Sequence, residues 1–290
     1  MGVVPEFMPA ASRSHYLRCA GFEIHAVEWG DAAAPPVMMW HGLARNSRDF
    51  DWVAQALAGD FRIIAVDQIG RGLSEWSRDP DADYCLARYA GIAEALADAL
   101  GLQRFHWVGT SMGGALGIHV ASEQLRGRIA SLLINDIGPT LPAPAVERIR
   151  SYVGKPPVFA GVSGLEAFMR EAYRPFGPHS DAQWRHMAET LMRRLPDGQV
   201  TTHYDPKIVR QFDVHPADYE QWAAYDALDL PVMVLHGIES DLLLPGIAAE
   251  MARRGPRAEI VEIAGCGHAP GLNTAEQWKI VRRFIEKTSL

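Results

Sequence analysis

The sequence predicts an α/β protein with a mainly parallel central sheet, broken once by a long insertion of different character. Three observations predict it. Short apolar runs alternate with helix-period segments through residues 37–135, the alternation stops between Pro139 and Asp229, and it resumes at Pro231. Strand, helix, strand, helix with short joints means βαβ units, and βαβ units make parallel sheets.

The elements follow in chain order. Tyr16 to Trp29 reads as two short strands around Ala20-Gly21, a plausible antiparallel edge. Val37 to Trp40 is a strand ending at His41-Gly42, followed by a helix over Ser47 to Ala58. Arg62 to Val66 is the next strand and closes on Asp67; Leu86 to Leu100 has helical apolar spacing with many alanines. Phe105 to Val108 is a strand that runs at once into a helix from Met112 to about Glu123, and Ile129 to Ile134 is another strand. The insertion holds proline-rich joints (Pro139, Pro142, Pro144, Pro156-Pro157) and helical stretches around Leu165 to Tyr173 and Asp181 to Leu195. Strands at Pro231 to Leu235 and Ala258 to Ile263 and a helix from Thr274 to Lys287 complete the chain. The expected division is a tail over 1–14, a core made of 15–138 with 230–290, and a helical insertion over 139–229.

Composition narrows the function. With 290 residues, 48% of them apolar, the chain can bury a large core, and a net charge of −7 argues against a nucleic-acid or anionic-membrane surface. Arg193-Arg194 and Arg253-Arg254 read as solvated helix faces. Three scattered cysteines (Cys19, Cys85, Cys266) are too few for a disulfide framework or a zinc site, and Cys266 reads as a small buried thiol. The first residues show neither a signal peptide nor a myristoylation signal, since Glu6 stands where Ser or Thr is required. Pro5-Glu6-Phe7 ahead of Met8 reads as an added leader with the native start at Met8. No run reaches the roughly 18 apolar residues of a membrane span, so the expected setting is soluble and cytoplasmic.

The chemistry concentrates in two places. Gly109-Thr110-Ser111-Met112-Gly113 is a G-x-S-x-G sequence between a strand and a helix, the context in which this turn lifts a serine hydroxyl above a sheet. The same turn aims the Met112 N–H to where an oxyanion would form. A serine needs a base, and His268 lies in the glycine-rich loop Gly265 to Pro270 between the last strand and the last helix. His41, His106, His119 and His236 read as packing or hydrogen-bonded residues, and no His pair has metal-ligand spacing. The imidazole in turn needs a carboxylate; Asp136, Glu239 and Asp241 all follow strands and precede His268.

Residues 35–135 and 228–287 resemble the α/β-hydrolase superfamily. The marks are H-G at 41–42, D-Q-I-G-R-G-L-S at 67–74, G-T-S-M-G-G at 109–114, H-G-I-E-S-D at 236–241 and G-C-G-H-A-P at 265–270. The resemblance implies a nucleophile at Ser111, a base at His268 and an oxyanion hole formed by the amides of Leu43 and Met112. It places the acid a few residues beyond the glycine that ends the seventh strand, which is Asp241. A minority of the family takes it from the end of the sixth strand, here Asp136. It also makes residues 139–229 a cap over the site; its aromatics (Tyr152, Phe159, Phe168, Tyr173, Phe176, Trp184, Tyr204, Phe212, Tyr219 and Trp222) can wall an apolar pocket, though most of them read as cap core. Arg45 and Arg48 read as surface arginines, with a hold on a substrate carboxylate as the alternative.

The expected function is cleavage of an ester or lactone of a small, partly apolar acid through an acyl-enzyme on Ser111, with no cofactor and no metal. Carbon–carbon bond, amide, acyl-transfer and perhydrolase chemistry use the same residues, because fold alone does not choose a reaction. A catalytically silent binding protein with the same pocket is the non-enzyme alternative. The expected partner is a small-molecule substrate.

Overall fold

A computed structural model describes residues 11–288; the suggested leader ahead of Met8 lies outside them. An eight-stranded sheet forms the centre, and its strands are labelled here as β1 (Ser12–Cys19), β2 (Phe22–Trp29), β3 (Pro36–Trp40), β4 (Arg62–Val66), β5 (Phe105–Thr110), β6 (Ile129–Asn135), β7 (Val232–Gly237) and β8 (Glu259–Ile263). Their spatial order is β1-β2-β4-β3-β5-β6-β7-β8. Only β2 runs against the rest, pairing antiparallel with both β1 and β4. The first strand starts at Ser12, inside the expected tail, because Ser12 already pairs with Trp29.

β5 and β6 sit mid-sheet and are buried along almost their whole length, as expected of parallel strands covered on both faces. One apolar layer lies between the sheet and helices Leu86–Ala99 and Met112–Ser122, and a second under helices Asp51–Leu57 and Ala275–Glu286. Every parallel strand delivers its C-terminal end to one edge, and the loops leaving that edge carry the chemistry.

The insertion is less helical than the sequence predicts. Beside helices Ala143–Val153, Val162–Ala172 and Asp181–Leu191 it contains a small antiparallel sheet, with Val200–Thr202 between Val158–Phe159 and Met192–Arg194. Met192 to Arg194 reads as helix from local spacing, and pairing with Val200–Thr202 overrides that preference. Among the described residues no helix is long and apolar enough to cross a membrane.

Candidate active site

Ser111 occupies the turn between β5 and helix Met112–Ser122 with φ 53° and ψ −119°, backbone angles that a non-glycine residue adopts only under constraint. The constraint is close packing on either side. A Cβ on Gly109 would overlap the Gly113 carbonyl, and one on Gly113 would overlap the Trp40 carbonyl at the end of β3. The glycines let the helix start jam against the neighbouring strand end. Met112 is the first helical residue, so its N–H has no partner within the helix and stands at the positive end of the helix dipole.

His268 meets Ser111: its Nε2 lies 2.9 Å from the Ser111 Oγ. On the other side of the ring, Nδ1 lies 2.8 Å from the Asp136 Oδ2. Asp136 is fully buried just past β6 and has a left-handed backbone, φ 59°. Its carboxylate also accepts the Gly237 N–H at 2.8 Å and the Ser240 hydroxyl at 2.5 Å. Buried carboxylates need such donors, and these two fix which oxygen faces the imidazole.

The expectation for the acid is therefore corrected. Asp241 is exposed and forms a two-point ion pair with Arg148 of the insertion, Oδ2 to Nε 2.7 Å and Oδ1 to Nη2 3.0 Å. The loops after β7 and β8 do lie side by side, since the Glu239 N–H donates to the Cys266 carbonyl at 2.9 Å. The tight turn after β7 nevertheless points Glu239 and Asp241 outward, and the inward residue is Ser240. The histidine loop then folds back across β7 until Asn135 Nδ2, at the end of β6, donates to the Pro270 carbonyl at 2.8 Å. That return brings His268 over the sixth strand. Ser240 is the site residue that sequence reasoning missed, and a lone serine in a turn carries no signal.

Leu43, Ser111 and Met112 border one apolar recess of about 240 Å3, counting its open mouth; Ile137, Phe212 and Tyr219 are further walls. Of the expected aromatics, Trp184 packs into the insertion's own core with Phe159 against it, so neither is a wall of this recess. His41 braces the loop: Nδ1–H donates to the Gly42 carbonyl at 2.7 Å and Nε2 accepts the Gln68 N–H at 3.0 Å. Burial pushes its pKa down to about 4, so the ring stays neutral and keeps both bonds at neutral pH.

Arg45 is not the surface residue the sequence suggests. It is buried, bonded twice to Asp49 (2.8 and 2.5 Å), and its guanidinium lies 4.5 Å from the Tyr173 ring centre and 5.5 Å from that of Phe176. Arg48 pairs with Asp51 at 2.6 Å. Both border a second recess with Thr110 and Pro270, on the flank of the Ser111–His268 pair. Burial lifts the Cys266 thiol pKa to about 11, with the nearby Asp136 charge adding to it, so the group stays protonated and unreactive.

The site thus joins a serine on a strained strand-to-helix turn, a histidine at its hydroxyl and a buried aspartate behind the ring. The profile of the alpha/beta hydrolase family matches residues 37–278. The chain belongs to that family. As an α/β hydrolase it is 36% identical to the 3-hydroxybutyrate-oligomer hydrolase of Cupriavidus necator, over 96% of this chain and 99% of that one. It is 28% identical to the pimeloyl-[acyl-carrier protein] methyl ester esterase of Nitrosomonas europaea, over 84% of this chain and 92% of the other. An α/β hydrolase structure from Novosphingobium aromaticivorans superposes with a TM-score of 0.86 at 33% identity, covering 97% of this chain and all (100%) of its own. The protein is a hydrolase with the fold of this family.

Proposed function

We propose that this hydrolase cleaves carboxylic esters through an acyl-enzyme on Ser111. The observation that carries the reading is the relay itself: Ser111 Oγ, His268 and the buried Asp136 in line at 2.9 and 2.8 Å. With the Nδ1 proton of His268 directed to Asp136, Nε2 is free to accept the serine proton. The Ser111 oxygen attacks the ester carbonyl, and the amides of Leu43 and Met112 receive the oxyanion. The imidazolium, steadied by Asp136, returns the proton to the departing alcohol. Water activated by the same imidazole then adds to the acyl-enzyme and releases the acid.

The apolar recess beside Leu43 and Met112 suits a short apolar acyl chain, with Phe212 and Tyr219 limiting its length. The two relatives named above support an ester as the scissile bond: one name specifies a methyl ester, and an oligomer of a hydroxy acid condensed head to tail is a polyester. Esters of short acids, hydroxy-acid oligomers among them, are the proposed substrate class.

The test is turnover of p-nitrophenyl acetate and butyrate and of a 3-hydroxybutyrate dimer, with fluorophosphonate labelling. Ser111→Ala is expected to lose several orders of magnitude in kcat and all labelling while keeping its unfolding midpoint. A variant that keeps more than about a tenth of wild-type turnover rules out Ser111 as nucleophile.

A further inference from the structure

Arg71 is fully buried, yet it takes part in no ion pair among the described residues. Its donors go to neutral partners. Nε donates to the Leu43 carbonyl at 2.8 Å, Nη1 to the Ile69 carbonyl at 2.7 Å and the Tyr89 hydroxyl at 3.0 Å, and Nη2 to the Met112 sulfur at 3.5 Å. The rings of Tyr84 and Tyr89 lie 5.6 and 5.3 Å from its Cζ. Burying a cation without a carboxylate is costly, and an apolar side chain of similar volume would fill the space without that cost. What the apolar chain lacks is a donor for Leu43.

Leu43 and Met112 are the residues whose amides face the reacting carbonyl in the ester-hydrolase reading, and Arg71 touches both. The Leu43 N–H shares a peptide plane with the Gly42 carbonyl, which the His41 ring holds at 2.7 Å and the Arg45 N–H at 3.2 Å. In a trans peptide the two groups point opposite ways, so pinning that carbonyl aims the Leu43 N–H away from it. The next peptide begins with the Leu43 carbonyl, which Arg71 pins. With the planes on both sides held, Leu43 cannot swing its amide.

We propose that Arg71 is the positioning residue of the oxyanion hole, orienting Leu43 through its carbonyl and Met112 through its sulfur, with its uncompensated positive charge set behind the point where the oxyanion forms. This rests on the ester-hydrolase reading above. The charge acts most when negative charge develops in the transition state and least on the neutral ester, so it lowers the barrier more than it tightens binding. The turn that carries Arg71 is fastened to the insertion, with the Gly72 N–H on the His203 carbonyl at 3.0 Å and the Asp205 N–H on the Gly70 carbonyl at 2.7 Å. The insertion thereby supports the oxyanion hole from behind.

Arg71→Met and Arg71→Lys would be compared with wild type on p-nitrophenyl acetate and against a boronic acid that mimics the tetrahedral state. Arg71→Met is expected to lose about 100-fold in kcat with KM within about threefold, and to weaken boronate binding in parallel. Arg71→Lys keeps the charge without the planar fork and is expected to recover part of both losses. A folded Arg71→Met that keeps more than about a third of kcat overturns the proposal, as does a fall in kcat with unchanged boronate affinity. Should the methionine variant not fold, Arg71→Lys and Tyr89→Phe decide: loss of kcat and boronate affinity together supports the role, and wild-type values in both refute it. A wild-type protein inert toward esters and fluorophosphonate would instead remove the underlying reading, an outcome visible before any Arg71 variant is made.

Discussion

The loops that follow β6 and β7 start side by side and each presents an aspartate, yet the two aspartates have opposite fates. Asp136 is fully buried, touches His268 at 2.8 Å and accepts two further hydrogen bonds. Asp241 has a side chain 54% exposed and binds Arg148 at the surface. The difference lies in the turn after β7, where Ser240 faces in and its neighbours face out. Ser240 serves both sides: its hydroxyl donates to Asp136 and its oxygen accepts the Leu242 and Leu243 N–H groups at 3.2 and 3.1 Å. A position in a chain becomes an acid partner through the donors around it, and the distance from a strand end is a weaker guide.

Asparagine substitutions break this comparison most sharply. Asp136→Asn is expected to lower kcat by about ten-thousandfold, the size of the equivalent change in serine proteases, because an amide favours the wrong imidazole tautomer. Asp241→Asn removes one exposed ion pair and is expected to change kcat less than twofold, with stability moved by under about 1 kcal/mol. Steady-state rates on one ester settle the matter, and a dead Asp241 variant beside an active Asp136 variant would reverse the assignment.

Ser240→Ala sharpens the same contrast from the supporting side. A hydrogen bond to a charged acceptor is worth about 1.5–3 kcal/mol, so losing it is expected to cost kcat roughly tenfold and to destabilise the fold by a similar energy. Unchanged kcat with lowered stability would limit Ser240 to shaping the turn. A smaller effect is expected at Asn273, whose Nδ2 donates to the Pro178 carbonyl at 2.9 Å and so ties the far end of the histidine loop to the insertion. Asn273→Ala is expected to reduce kcat a few-fold, about 1 kcal/mol. The weakest effect is expected at Cys266. With its thiol held up near 11, Cys266→Ser should leave kcat within a factor of about two, and iodoacetamide should leave native activity intact over hours at pH 7.

How far the sequence carries depends on the range of the interaction. Ser111 is legible because the strand, the turn glycines and the helix are consecutive, and His268 because its glycine-rich loop ends the last strand. The central strands are legible because buried parallel strands are continuous apolar runs, as Ile129 to Ile134 shows. Asp136 is not, since its role needs the histidine loop to travel back across β7, a path set by the contact between Asn135 and Pro270, 135 residues apart in sequence. Arg45 reads as a surface residue for the same reason: Asp49 is local, but the rings of Tyr173 and Phe176 arrive from the insertion. The short strand Met192–Arg194 likewise exists only through its partner.

The histidine loop is gripped by main-chain groups of the insertion. Gly267 N–H donates to the Pro175 carbonyl at 2.6 Å, Gly271 N–H to the Phe176 carbonyl at 3.0 Å, and Asn273 reaches the Pro178 carbonyl. Most of this grip falls on carbonyls, which are the same in every residue; the exception is the Gln183 side chain, which donates to the Asn273 carbonyl at 3.0 Å and accepts from Asn273 Nδ2 at 3.3 Å. Side chains of that stretch other than Phe176, which packs on Arg45, can therefore change, and with them the shape and polarity of the neighbouring recess, while His268 keeps its place. New preferences can be acquired one substitution at a time without an intermediate that has lost its chemistry.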